Sequence, residues 1–236
     1  MKIEVLFSEV CNLNGDLQNV EYLRQTLPEA EFVFTALTGE LYLAENRPDM
    51  VYMGTMTEAI QRRVIDKLMP LKSRIEELIE DGVVFLMTGN ACDVFCKSVD
   101  YATEKIQKDA LGLFDLTVKC DHFNRYNGKF MGEVDGITVI GFRSQFSMMQ
   151  GDNSSCYFGR NQRAMGMNPS TDLEGIRRKN FFGTNVQGPI LALNPLFCEH
   201  LIRLAGGNAV AAHKEGAMKA YEIRLKEMQD PTLKFY

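Results

Sequence analysis

The 236-residue sequence predicts an α/β fold in three layers, with helices on both faces of a mostly parallel central sheet. Two observations carry that expectation. The first half alternates strand-like and helix-like segments in the order βαββαβα, and the run VVFLMT at 83–88 is apolar throughout, as a strand covered on both faces must be. In such folds a site lies at the carboxyl ends of the strands.

KIEVLF at 2–7 is β-prone. It is followed by NGDLQNVEYLRQTLPEA, in which Leu17, Val20, Leu23 and Leu27 form a helical stripe with Asp16 as its N-cap. EFVFTAL at 31–37 and MVYMG at 50–54 read as the next strands, the second stopped by Gly54. From Thr57, an N-cap residue type, Ile60, Val64 and Leu68 recur every four residues. Pro70 breaks that pattern and starts a second helix carrying Leu71, Ile75 and Leu78, which Gly82 closes. After the apolar strand, residues 91–108 place Cys92, Phe95, Val99, Ala102 and Ile106 at steps of three and four, the spacing of one long helix with a buried stripe.

The second half changes character. LFDLTVKCDHF, GKFMGEV and GITVIGF read as short strands, with Asp135-Gly136 as a hairpin signal. Residues 144–178 are polar and rich in turn formers, and a loop of that length is either functional or disordered. Its part up to Arg163, with Arg143, Asp152, Asn153, Cys156 and Arg160, is the expected cover of a pocket. NFFGTNVQGPILALNPLFCEHLIRLAGG returns to strand, turn and helix, and a last helix over 208–229 sets Val210, Ala217, Tyr221, Leu225 and Met228 inward. No repeat, linker or low-complexity tract interrupts the chain, so 1–236 reads as a single domain.

With 45% hydrophobic and 24% charged residues the composition is that of a soluble globular protein. A net charge of -5 supplies no broad cationic field for a phosphate backbone, which argues against nucleic acid as a partner. The opening MKIEVLFSEV is interrupted by Glu4 and Glu9 and does not read as a secretory segment, and nowhere do about 18 apolar residues run together. The expectation is a cytoplasmic protein without membrane insertion. The six cysteines are scattered with no CxxC pair and read as reduced thiols. Cys92 and Cys96 have no neighbouring His or Cys to complete a zinc site, so neither a metal nor a cofactor is expected.

The strand at 83–88 ends on Thr88-Gly89 and leads straight into a helical pattern. Such a corner can hold one side chain above the sheet beside a helix N-terminus, the geometry of a nucleophile elbow, although an ordinary βα turn uses the same residue types. FSEVCNLNGDLQNVEYLRQTL, DMVYMG, VVFLMTGNACDVF, GITVIGF and FFGTNVQGPILALNPLFCEHLI occur in the order and spacing of class I glutamine amidotransferase-like domains of the cobyric acid synthase type. The chain resembles these from Leu6 to about Leu204, and in particular resembles the glutaminase subunits of lipid II isoglutaminyl synthases. The most specific segments are the N-L-x-G-D-x-x-N run from Asn12 to Asn19 and the G-P-I-L-A-x-N-P run from Gly188 to Pro195.

The resemblance implies a flavodoxin-like arrangement of the three layers and a cleft near Gly54, Thr55, Thr88, Gly89, Asn90 and Gln187. In active members a cysteine on the elbow attacks the glutamine side-chain amide, a histidine activates it, and backbone N–H groups near a glycine-rich loop stabilise the oxyanion. Here the family cysteine falls on Thr88 and the family histidine on Gln187, while the loop, typically G-G-G-Q, reads Gly54-Thr55-Met56-Thr57. A threonine hydroxyl is un-ionised near neutral pH, and glutamine has no titratable group and can only orient. Losing such a unit costs on the order of 10⁶ in rate.

The expectation is therefore an amidotransferase-fold binding or partner subunit that does not hydrolyse glutamine. Gly54, Thr55, Gly89 and Asn90 remain as ligand contacts, and a small-molecule amide is the implied ligand. One alternative is an active amidotransferase or altered amide hydrolase using Cys92 or Thr88. Another is an interaction subunit for a ligase-like or synthetase partner, because family glutaminases hand ammonia to a synthetase. Cys92 shares the apolar stripe and reads as packing. Glu58 sits at the lip after Gly54, His122 follows a strand without an assigned partner, and His200 and His213 read as structural or solvated.

Overall fold

In the first half of the computed structural model, which describes residues 1–235, the elements up to the fourth strand follow the predicted order except for one short unpredicted helix at Tyr42–Glu45. They are β1 (Lys2–Leu6), α1 (Leu17–Thr26), β2 (Glu31–Thr35), α2 (Tyr42–Glu45), β3 (Met50–Met53), α3 (Glu58–Leu68), α4 (Lys72–Glu80) and β4 (Val84–Thr88). Thr57 caps α3, its hydroxyl accepting from the Ile60 N–H. Pro70 lies in the short 3₁₀ turn that separates α3 from α4, and Gly82 ends the pair at positive φ.

Residues 91–108 do not form the expected helix. Gly89–Phe95 makes 3₁₀ turns, after which β5 (Ser98–Tyr101) pairs antiparallel with β6 (Ile106–Asp109). The apolar spacing coincided with a hairpin: Val99 and Tyr101 are buried strand residues, whereas Ile106 is 39% exposed on the other arm. Strand propensity at Val99 and Tyr101 and strand pairing outweighed the helical period. Then come β7 (Thr117–Cys120), β8 (Tyr126–Val134), β9 (Ile137–Gln145) and β10 (Ser147–Gln150). The Asp135-Gly136 hairpin forms as expected, both residues at positive φ.

Much of the stretch expected to be loop is strand. It holds β11 (Gly159–Asn161), β12 (Leu173–Glu174) and β13 (Ile176–Arg178), before β14 (Phe181–Thr184). Buried amides order it: Asn153 donates to the Gly175 carbonyl and Asn168 to the Met149 carbonyl. Two short helices, α5 (Ile190–Leu193) and α6 (Pro195–Leu204), precede α7 (Lys214–Gln229). The last helix begins six residues later than predicted. Ala211 N–H donates to Glu199, Ala212 N–H donates to Thr26, and His213 takes a left-handed φ of 51°, so the preceding backbone is held outside a helix. Val210 is accordingly 68% exposed, while Tyr221, Met218, Leu225 and Met228 pack on Met131 and Ile140.

The central sheet has six strands in the order β13-β14-β4-β3-β1-β2, all parallel except edge strand β13. Helices cover both faces, as the sequence predicts. Phe85 and Met87 of β4 join one apolar cluster with Val64, Leu68 and Ile75 of α3 and α4. Val84 and Leu86 point the other way, into a cluster with Leu23 of α1 and Phe197 and Leu201 of α6. Two smaller four-stranded sheets, β10-β7-β5-β6 and β12-β11-β8-β9, flank this layer system.

Candidate functional site

A cavity of about 270 Å³ opens at the carboxyl ends of the parallel strands, among segments that follow β1, β3, β4 and β14. Thr55, Glu58, Asn90, Asp93, Gln145 and Gln187 contribute to its wall. The 144–147 segment supplies part of the wall too, which is the portion of the expected cover that reaches the site. The rest lies elsewhere. Arg143 is fully buried against Glu174, Arg160 pairs with Asp172, and Arg163 donates to carbonyls near the chain end.

At the end of β4, Thr88 continues the face of Val84 and Leu86, and this alternation turns its side chain beneath the corner. It is fully buried and does not line the cavity. Its hydroxyl donates to Asp16 Oδ2 at 2.9 Å and lies 3.1 Å from the Tyr52 hydroxyl. Gly89 carries the sharp turn, with φ at +59°. A Cβ placed on it would sit 2.1 Å from Thr55 Oγ1 and 2.9 Å from Gln187 Nε2. A side chain on the corner would thus have to enter space that Thr55 and Gln187 already occupy.

Asp16 is not a cap by side chain. It sits at the N-cap position of α1, but its carboxylate crosses to the loop after β3. There Oδ2 accepts from the Thr55 N–H at 2.7 Å and from the Thr55 hydroxyl, in addition to Thr88. Burial raises the Asp16 pKa above its ordinary value, and the donors from Thr55 and Thr88 oppose that shift. Gly54 permits the approach, since a Cβ there would lie 2.7 Å from the Cys11 carbonyl oxygen. The Asn90 amide clamps the same loop, accepting from Met56 N–H at 3.0 Å and donating to Met56 O at 2.8 Å. Two backbone N–H groups of the loop, at Thr55 and Met56, are therefore committed to protein acceptors.

Gln187, only 1% exposed, exchanges backbone hydrogen bonds with Phe142 and donates through Nε2 to Thr55 Oγ1 at 3.3 Å. Among the described residues no donor reaches its buried Oε1, nor Gln145 Oε1 or Asn185 Oδ1 of the same cavity. Of the expected site residues, Thr55, Asn90 and Gln187 meet at the cavity, Gly89 forms the corner beside them, and Gly54 and Thr88 lie behind.

Cys92 is fully buried. Its thiol donates to the Gly89 carbonyl at 3.0 Å, and burial followed by the nearby Asp93 holds its pKa well above the usual thiol range. His200 pairs with Asp135 and His213 is exposed. Asp93, which the sequence reading missed, is fully buried at the cavity wall. Burial pushes its pKa up to about 7, against the hydrogen bond that Gln61 Nε2 donates to its carboxylate. Nothing in the sequence marked Asp93, because it sat within the supposed helix. Asp16 was masked by its ordinary place before one.

No protein-family model matches the chain. It is 26% identical over 204 residues to the Lipid II isoglutaminyl synthase (glutamine-hydrolyzing) subunit GatD of Staphylococcus aureus, covering 84% of this chain and 81% of the relative. The corresponding GatD subunit of Streptococcus pneumoniae is 24% identical over 217 residues, covering 87% and 80%. The fold is shared with a crystal structure of a glutamine amidotransferase, at a TM-score of 0.52 and 14% identity over 86% of this chain and 98% of that one. Among the described residues no helix is long and apolar enough to cross a membrane. The parallel sheet, the cavity at its carboxyl edge and the matches along most of the chain give it a glutamine amidotransferase-like fold and a distant relationship to GatD.

Proposed function

We propose that this protein is a binding or partner subunit that keeps the amidotransferase cavity without hydrolysing glutamine there. The observation that carries this reading is the corner itself. Gly89 presents no side chain and its Cβ position is occupied by Thr55, while the Thr88 hydroxyl faces Asp16 and Tyr52 below. A nucleophile needs a base within hydrogen-bonding reach. Gln187 stands beside the corner with an amide that cannot take a proton, and Cys92 points its buried thiol at a backbone carbonyl. The committed Thr55 and Met56 N–H groups support the same reading, since an oxyanion would have to displace Asp16 or Asn90 from them.

The cavity remains suited to a small polar ligand. The unpaired buried oxygens of Gln187, Asn185 and Gln145 favour a molecule that carries N–H donors, such as an amide. The GatD relatives are named as subunits of a synthase, which supports a role for this chain beside a ligase-like or synthetase partner.

Purified protein incubated with glutamine is expected to release no ammonia above a protein-free control. Ammonia release that Gln187→Ala abolishes in a variant of unchanged circular dichroism would overturn the reading. Co-purification from a native extract, with the second chain identified by mass spectrometry, tests the partner role. A chain recovered alone counts against it.

A further inference from the structure

Beside the elbow region, and apart from it, three metal-ligating side chains converge at the cavity wall. Glu58 is the first residue of α3, Cys120 ends β7, and His122 sits two residues later in the following turn. Glu58 Oε1 lies 3.6 Å from His122 Nε2 and 3.9 Å from Cys120 Sγ, and the three ligand atoms all lie within 4.8 Å of one another. Glu58 and Cys120 both line the cavity. We propose that Glu58, Cys120 and His122 form a divalent transition-metal site, with zinc as its occupant and a fourth coordination position turned toward the cavity.

The spacing supports a common ion. Bonds of about 2.0 to 2.3 Å in a tetrahedron put ligand atoms roughly 3.4 to 3.6 Å apart, so the two Glu58 edges already approach the required triangle, and the Cys120–His122 edge, within 4.8 Å, needs at most a small side-chain rotation. The donor set points to zinc: a thiolate and an imidazole exclude the hard magnesium and calcium ions, and a three-ligand set leaves one open position. A thiolate, a neutral imidazole and a carboxylate together would balance the charge of the dication.

The arrangement is unlike a nucleophile and its base. In a Cys–His–carboxylate relay the acid holds the ring nitrogen remote from sulfur. Here the sulfur and Nε2 lie against the same carboxylate oxygen, so the groups converge on a point instead of forming a chain.

The supports come from independent parts of the fold. Thr57 caps the helix that carries Glu58. Val118 and Met149 anchor β7 in the core, and the His122 N–H donates to Thr103 Oγ1. The Asp121 carboxylate turns away from the cluster to accept from Phe123 N–H and Asn124, which fixes the turn, and the His122 ring stands edge-on to Phe146 at 5.3 Å. Such supporting contacts are what orient a ligand before the metal arrives. The sequence reading weighed only Cys92 and Cys96 as zinc ligands, and the 62 residues between Glu58 and Cys120 hide this cluster from any local motif.

The test uses the full chain without a histidine tag, stripped with chelator and titrated with cobalt(II) as the spectroscopic probe, alongside zinc content after zinc reconstitution and gel filtration. One equivalent of either metal is expected, with a thiolate-to-cobalt charge-transfer band that Cys120→Ser removes. His122→Ala, on the partly exposed turn, is expected to weaken binding at least about tenfold. Cys92→Ser should leave both readouts unchanged. Absence of bound metal, or binding undiminished in His122→Ala, overturns the proposal even if Cys120→Ser does not fold. Metal binding is read independently of ammonia release, so either result stands without the other.

Discussion

The Thr88 hydroxyl donates to Asp16 Oδ2 at 2.9 Å, joining the end of β4 to the start of α1 across 72 residues of sequence. The corner residue is thus a structural tie. Thr88→Val keeps the side-chain volume but leaves the buried Asp16 carboxylate with only its two Thr55 donors. We expect a loss of about 1–3 kcal/mol in urea unfolding, the cost of withdrawing one partner from a buried polar group. Affinity for a ligand bound in the cavity should be unchanged in the folded variant, because the Thr88 side chain does not reach it.

Placing a thiol and an imidazole at Thr88 and Gln187, the positions expected from the sequence resemblance, should not create glutaminase chemistry. In Thr88→Cys combined with Gln187→His the new thiol would point at Asp16 and Tyr52, so ammonia release is expected to stay at background. Gly89→Ala makes the complementary point. Its methyl group would meet the Thr55 side chain on a backbone with φ at +59°, and we expect destabilisation of about 2–4 kcal/mol, visible in a thermal or urea melt.

Asp93 gives the cavity wall a pH dependence. Its pKa, pushed up to about 7 by burial, lies above that of the unfolded chain, so the folded state binds this proton more tightly. The associated stability is fully present below the ordinary aspartate pKa of 3.8 and is lost as pH rises through about 7. At about 1.4 kcal/mol per unit the full span is roughly 4 kcal/mol. Other carboxyls titrate in the same window, so the measurement is a difference: stability of the parent minus that of Asp93→Asn, by urea unfolding between pH 4 and 8. It should fall as pH rises, and a flat difference would show that Asp93 titrates normally.

The parallel sheet was legible because each strand carried its own signal: β4 was apolar throughout, and Thr57, Pro70 and Gly82 punctuated the helices between. Residues 91–108 were misread because Cys92, Phe95 and Val99 are indeed all buried, but by a 3₁₀ turn and a strand whose combined spacing imitates a helix. The site was legible only in part. Thr55, Asn90 and Gln187 could be placed through the turns that carry them, whereas the direction of Thr88 depends on pleat alternation across β4, and the role of Asp16 depends on a contact 39 residues away. Glu58 stands far from Cys120 and His122 in the sequence, and only the fold brings the end of β7 and its following turn to the first residue of α3.

The stretch read as one long loop, residues 144–178, is held instead by Arg143 and Glu174, both side chains wholly buried. Arg143 also donates to the carbonyls of Met165 and Gly166, while Glu174 accepts from the Thr184 hydroxyl and the Asn185 N–H. This pair therefore fastens residues 165–174 to the end of β14, beside Gln187. Removing one partner leaves an uncompensated charge away from water, so Glu174→Gln and Arg143→Met are each expected to cost about 3–5 kcal/mol. The double variant should lose less than the two single losses added together, since neither charge is then left alone. A double-mutant cycle by urea unfolding reads that difference directly. Additive losses would mean that the two side chains act through their backbone partners and not through each other.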